Sequence, residues 1–262
     1  MDPLLAIFLI FMAVGFAAQL VDGAVGMAYG VTAATMLLAF GLPPANVSAA
    51  VHSSKVFTCA ASAWAHVASG NVDRRLALWL AIGGAAGGVT GVYVVTGVPA
   101  SVIKPLIVVY LGMMGVIILF RAWQSVVPAT KPFGYPVPLG ATGGFLDAIG
   151  GGGWGPTVTT MLIGSGVVPR KAIGSTNTAE FFVAVAVSTA FVAALLTGRW
   201  GEAGELIENL WPVAGLIAGG LLAAPFAARI TRILPAKHMS WIVGLVVILL
   251  AVWQGLQLAK TL

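Results

Sequence analysis

GATGGFLDAIGGGGWGPTVTTMLIGSGVVP, residues 140–169, is the stretch on which the fold turns. Four consecutive glycines inside an apolar run interrupt a helix, and Pro156 just beyond them suits the first turn of a new one, where its missing N–H costs nothing. The same pattern stands 125 residues earlier as GFAAQLVDGAVGMAYGVTAATMLLAFGLPP, residues 15–44, with ten identities in thirty ungapped positions. Asp22, Gly26, Gly30 and Thr35 fall on Asp147, Gly151, Gly155 and Thr160. Further along, Leu78-Trp79 matches Leu210-Trp211 and Gly87-Gly88 matches Gly219-Gly220 at a changed offset. The chain therefore reads as a duplication, with repeat 1 over about 3–125 and repeat 2 over about 136–260.

Composition says where such a chain lives. Of 262 residues 59% are hydrophobic and 8% charged, and the mean hydropathy is +1.01. A soluble domain carries about 25% charged residues, so that class is excluded. Each spanning helix takes only about 20 residues, and this average needs many of them. The expectation is an all-α polytopic membrane protein, one transmembrane domain over residues 1–262 with about 8–10 membrane segments. Apolar segments lie at about 3–22, 26–41, 47–68, 76–96 and 102–122, then at about 136–150, 155–167, 172–196, 208–227 and 238–259. Residues 1–22 have no Lys or Arg ahead of the apolar run, so they read as the first membrane segment and not as a secretory signal. The single Cys59 excludes a disulfide framework. The net charge of +5 forms no patch, so nucleic acid is not a partner and the bases serve as topology signals.

Those bases orient the repeats. If each half makes an odd number of crossings, with its first two segments both crossing or forming a re-entrant hairpin, one side collects Arg74, Arg75, Arg121, Lys131, Arg170, Lys171, Arg229, Arg232 and Lys237. The other side holds Lys104, Arg199 and Lys260. With four crossings per half the same bases divide evenly. The positive-inside rule selects the first arrangement, which makes the repeats inverted and puts both termini outside the cytoplasm. Arg199–Leu210, with Glu202, Glu205 and Glu208, reads as a short interfacial helix on that outer side.

Few residues are available for chemistry. A charge in hydrocarbon costs about 2.5–3.5 kcal/mol on insertion scales, so Asp22, Asp147 and Glu180 are functional candidates, here as coupling groups. The aspartates have a second reading as caps of the helices that follow them. The breaks Asp22–Gly30 and Asp147–Pro156 would present backbone N–H groups and helix N-termini to an anion, with Gly26, Gly30, Gly151, Gly152, Gly153, Trp154 and Gly155 as substrate-binding positions. The glycines also have a packing reading. Gly150-x-Gly152-x-x-Gly155 matches a dinucleotide fingerprint only because four glycines run together, and no βαβ unit surrounds it.

His52 and Lys55 map by the offset of 125 onto Asn177 and Glu180, each pair at i,i+3 on one helix face. Cys59, Ser62 and His66 continue the first stripe, which must face the interior or a water path. His52, Cys59 and His66 are separated by about 10.5 Å per step and share no metal. His52 and His66 read singly as satisfied buried histidines, with His52 and Asn177 as the outer members of the substrate site. Lys55 and Glu180 approach the midplane, either as a structural pair or as an anion counter-charge and a titratable group. Gly83, Gly84, Gly87, Gly88, Gly91, Gly215, Gly219 and Gly220 read as helix contact stripes.

On these motifs the chain resembles the sulfite exporter TauE/SafE family of membrane permeases. The matching pieces are GGFLDAIGGGGWGP at 143–156, AIGSTNTAEFF at 172–182 and DGAVGMAYG at 22–30. The first half departs from the second, with Met27, Ala28 and Val31 where Gly152, Gly153 and Pro156 stand. The resemblance implies a secondary transporter, an exporter of sulfite or organosulfonates across the bacterial inner membrane, with no cofactor. Inverted repeats with broken helices and sparse midplane charges reach the same class from the residues. Proton or sodium coupling and a homodimer are compatible with it. The alternatives are a channel or carrier for another small anion such as a carboxylate, or an intramembrane enzyme. The last lacks any Ser-His-Asp or His-Glu-x-x-His arrangement, so no catalytic residue is assigned.

In a Cys59→Ser background, a cysteine placed at position 260 is expected to react with an impermeant thiol reagent from the extracytoplasmic side. Labelling from the cytoplasmic side alone would overturn the orientation.

Overall fold

The computed structural model describes residues 2–25, 28–121, 123, 133–201, 204, 210–233 and 236–260, and every regular element among them is helical. Ten α-helices follow in order: α1 (Pro3–Val25), α2 (Tyr29–Ala39), α3 (Pro44–Ala68), α4 (Arg74–Val95), α5 (Ala100–Arg121), α6 (Pro136–Gly150), α7 (Thr160–Gly164), α8 (Pro169–Leu196), α9 (Leu210–Ile233) and α10 (Ala236–Ala259). A π-helical stretch, Gly155–Thr159, runs directly into α7. The sequence punctuation sets these ends. Pro44 and Pro169 stand in the first turns of α3 and α8, and Gly41 takes φ +93° just after α2. The Asp73 carboxylate caps α4 by accepting from the N–H groups of Arg75 (3.0 Å) and Leu76 (3.1 Å). Most of 199–210 and all of Pro235 lie outside the described residues.

Among the described residues four helices, α1, α4, α5 and α8, are long and apolar enough to cross a membrane. Their outer faces are apolar: Leu106, Val109, Met113, Val116 and Phe120 of α5 are all exposed, while His52, Lys55 and Asp147 are buried. A polar interior under a greasy exterior is the layout of a multi-pass membrane protein.

Contacts fix the directions of the helices. Trp200 Nε1 donates to Asn46 Oδ1 at one end of the α3–α8 seam, Lys55 meets Glu180 in its middle, and Lys171 Nζ donates to Gly70 O at the other, so the two helices are antiparallel. α5 and α10 are antiparallel as well, with the Trp123 and Trp241 rings tilted against each other at 5.8 Å and Gly112 beside Ala251. By contrast α1 runs parallel to α9 (Phe8 with Trp211, Phe16 with Phe226), and α4 parallel to α6 (Gly83 at Val137, Gly91 at Phe145 and Ala148).

The short elements turn back instead of crossing. α2 has 11 residues and rises about 16 Å against a core of about 30 Å, and its end returns to α1, where the Phe40 and Phe11 rings lie 5.0 Å apart. α6 and the segment after it do the same, with Gly143 packed on Val158 and Trp154. The tip of this second hairpin, Gly150 and Gly153, lies against Tyr110 halfway along α5.

Glycine seams hold the parallel pairs. A Cβ on Gly144 would come within 3 Å of the Gly84 backbone, and one on Gly219 within 3 Å of the Met12 and Phe16 backbones. Such contact leaves no room for a side chain, so Gly144→Val is expected to cost about 1–3 kcal/mol by overpacking. Thermal unfolding and size-exclusion profiles in detergent should show this loss, whereas Gly255→Ala, with open space around its Cβ position, should leave both unchanged.

Candidate functional site

Each hairpin tip is clamped by an aspartate. Asp147 Oδ1 accepts from the N–H groups of Gly153 (2.7 Å) and Trp154 (3.1 Å), and Asp22 Oδ1 accepts from those of Ala28 (2.9 Å) and Tyr29 (3.2 Å). The spacing of six and seven residues is the same in both, and the carboxylates satisfy donors that a broken helix would otherwise leave bare in a dry interior. The capping role read from the sequence is therefore present in both halves. Gly151 closes α6 with φ +73°, a left-handed conformation that favours glycine, and donates its own N–H to Asp147 O.

Lys55 reaches one of these carboxylates, Asp147, from the middle of α3. Its Nζ donates to Asp147 Oδ1 (2.9 Å) and Oδ2 (3.0 Å) and pairs with Glu180 Oε1 of α8 at 2.9 Å. One turn earlier, His52 Nε2 lies 3.0 Å from Asp147 Oδ2 and Nδ1 lies 2.8 Å from Ser48 O. The hydroxyl of Ser48 donates to Ala148 O, so its proton is not available to the ring. Both nitrogens of His52 thus lie against oxygen atoms of its neighbours. Lys55, His52 and Asp147 are all buried, and Glu180 nearly so.

A small cleft opens beside this network. Asp22, Gly30, Val31, Lys55, Gly152, Gly155, Pro156 and Glu180 line it, and it has room for about one water molecule. The two breaks meet here backbone to backbone: a Cβ on Gly30 would stand 2.8 Å from Gly152 Cα and 2.8 Å from Lys55 Nζ. Only glycine permits that approach.

The sequence-assigned residues divide accordingly. Asp22, Gly30, Lys55, Gly152, Gly155 and Glu180 are brought to one cleft. Gly151 and Gly153 shape the tip behind it. Trp154 is fully buried away from the cleft, its ring against Gly84 and Gly143 and its indole N–H donating to Thr176 O. His52 acts on Asp147 from behind. Asn177 donates to Ser62 Oγ (3.1 Å) and lies 3.4 Å from His66 Nε2, toward the Lys171 end of the seam. Gly26 lies outside the described residues. Sequence reasoning missed the Lys55–Asp147 contact and the wall positions Val31 and Pro156. It also missed Tyr29, whose hydroxyl lies 3.0 Å from Ser54 Oγ and 3.2 Å from Leu216 O. Among the described residues no group of three or more His, Cys, Asp or Glu is placed to hold a metal ion.

Comparison with known proteins bears on this site. The sequence profile of the sulfite exporter TauE/SafE family matches residues 11–253. The chain is 40% identical over 248 residues to the "Probable membrane transporter protein YtnM" of Bacillus subtilis (strain 168), an alignment covering 92% of this chain and 80% of that protein. No solved structure matches.

The two clamps are expected to respond differently to neutralisation. Asp147→Asn leaves Lys55 and His52 short of a buried counter-charge, which costs about 3–5 kcal/mol when one partner of a buried pair is removed. Asp22, with no ammonium in ion-pair contact among the described residues, should lose much less in Asp22→Asn. Melting temperatures of the two purified variants in detergent check the order.

Proposed function

The chain belongs to the sulfite exporter TauE/SafE family of membrane transporters, and on that premise we propose that it is a secondary carrier of small sulfur-containing anions such as sulfite or organosulfonates, working by alternating access at the Lys55 cleft. The observation that carries this reading is the buried Lys55 ammonium on the wall between two broken helices, where backbone and ammonium together can replace the hydration of an anion. The family is one of transporters, so the activity is translocation and not catalysis. An organised, nearly closed cleft favours a carrier over a channel, which needs a continuous wet path.

Two inverted repeats underlie this proposal. Exchange of halves turns α1–α9 packing into α6–α4 packing and maps α3–α8 and α5–α10 onto themselves, which is what a two-fold axis in the membrane plane requires. The clamps at Asp22 and Asp147 add the same support at atomic detail. With Arg74, Arg75, Arg170 and Lys171 at one end of the bundle and Arg199 at the other, the positive-inside rule puts the first group in the cytoplasm and both termini outside it, in a bacterial inner membrane.

Counterflow in proteoliposomes of the purified chain, screening sulfite, sulfonates and carboxylates, tests the reading. Saturable exchange of sulfur oxyanions is expected, and its absence for every anion would overturn it. The double variant Lys55→Met with Glu180→Leu should recover stability relative to Lys55→Met alone, because replacing both members of a buried pair is far cheaper than removing one. It should nonetheless show no anion exchange, and near wild-type exchange would reduce the pair to scaffolding.

A further inference from the structure

The Lys55 ammonium has no unfilled place for an anion. Asp147 engages it with both oxygens and Glu180 with one, and the cleft beside them holds about one water molecule. Asp147 cannot leave without releasing the Gly153 and Trp154 N–H groups and His52, so the contact able to open is the one to Glu180. We propose that the Glu180 carboxylate occupies the seat of the substrate anion on Lys55, and that an anion enters only when a proton takes Glu180 off the ammonium, so anion and proton travel in the same direction. This deepens the anion-carrier reading above and rests on it.

Charge counting leads to the same point. Three carboxylates, Asp22, Asp147 and Glu180, face one ammonium and one imidazole, so acidic groups are in excess over basic ones in the buried cluster. A monovalent anion added alone would deepen that excess in a medium where unpaired charge is costly. A proton on Glu180 arriving with the anion leaves the total unchanged. In the step, the Lys55 to Glu180 contact breaks, a new O–H bond forms on Glu180, and the anion takes the vacated place on Nζ. A metal cation such as sodium would stand beside the ammonium and repel it, which a proton bound to the carboxylate does not.

The groups able to influence Glu180 are few. From α3 they are His52, Lys55, Cys59 and His66, from α6 Asp147, and from α1 Asp22. α4 carries its ionisable residues only at its ends, Arg74, Arg75 and Tyr93, and Gly155–Gly164 carries none. On α8 itself Arg170 and Lys171 lie more than two turns away. Of these, Glu180 alone pairs with Lys55 without also holding a backbone turn.

The test measures binding and uptake of radiolabelled isethionate, whose sulfonate keeps one charge across the working pH range, by the full chain in detergent and in proteoliposomes, with sulfite as a second probe. Wild-type affinity should fall by up to about tenfold per pH unit on the alkaline side, because one proton is bound with each anion. Uptake should accelerate when the outside is made acidic, remain unchanged when choline replaces sodium, and alkalinise the outside by one proton per isethionate. Glu180→Gln, which imitates the protonated carboxyl, should bind isethionate with no pH slope and lose gradient-driven accumulation. A pH-independent wild-type affinity, or a slope that survives in Glu180→Gln, overturns the proposal. If that variant does not fold, proton uptake on binding to the wild type, read in buffers of different ionisation enthalpy, decides alone: one proton supports the proposal and none ends it. If the wild type binds and exchanges no anion at any pH, the carrier reading itself fails and takes this proposal with it.

Discussion

A lysine ammonium at mid-depth in a membrane protein requires a counter-charge within hydrogen-bond reach, and Lys55 finds two carboxylates at 2.9 Å. One of them, Asp147, also holds the backbone where α6 breaks, so the charge network and the chain reversal are a single structure. Lys55 comes from α3, Asp147 from α6 and Glu180 from α8. The contact therefore joins both halves of the chain where these groups are buried from solvent and must satisfy one another. The glycine contact of Gly30 on Gly152 belongs to the same constraint, since any side chain there would push the ammonium off its partners.

The halves share a backbone solution and differ in charge. Asp22 and Asp147 clamp their tips with the same spacing, yet Asp147 receives Lys55 and His52, whose counterparts at the offset of 125 are Glu180 and Asn177. Two hairpins need two clamps, because each break exposes its own donors. A second lysine at position 180 would place like charges across the same small cleft.

Segment positions were legible because lipid imposes a strong pattern: each expected apolar run falls on a helix or hairpin arm, and Pro44, Pro136 and Pro169 stand in first turns. Lys55 and Glu180 were found as a pair because the offset of 125 in the sequence relates their positions, and the structure brings them into contact at 2.9 Å. The Lys55–Asp147 contact was invisible to that device, since these residues are not equivalent and lie 92 apart in sequence. Trp154 shows a different failure. Its place beside a glycine break suggests a ligand contact, but its ring fills the gap left by Gly84 and Gly143, and only the packing partners reveal this. The anion donors were overcounted for a physical reason: four of the N–H groups at the breaks are taken by the clamps.

The seams of the bundle differ in what parting them would cost. α1–α9 and α4–α6 are joined backbone to backbone through glycine, so separating them loses close dispersion contact. The α3–α8 seam is polar along its length: Trp200 to Asn46 near one end, Lys55 to Glu180 in the middle, Asn177 to Ser62 beyond it, and Ser175 and Lys171 to the 70–73 turn at the other. Water entering from either end can take over those hydrogen bonds one cluster at a time. The contact that water replaces least well is the central Lys55–Glu180 pair, which is buried between the end clusters. Parting this seam would therefore cost most at its middle, because the end clusters exchange protein partners for water while the central pair would have to lose a charged partner.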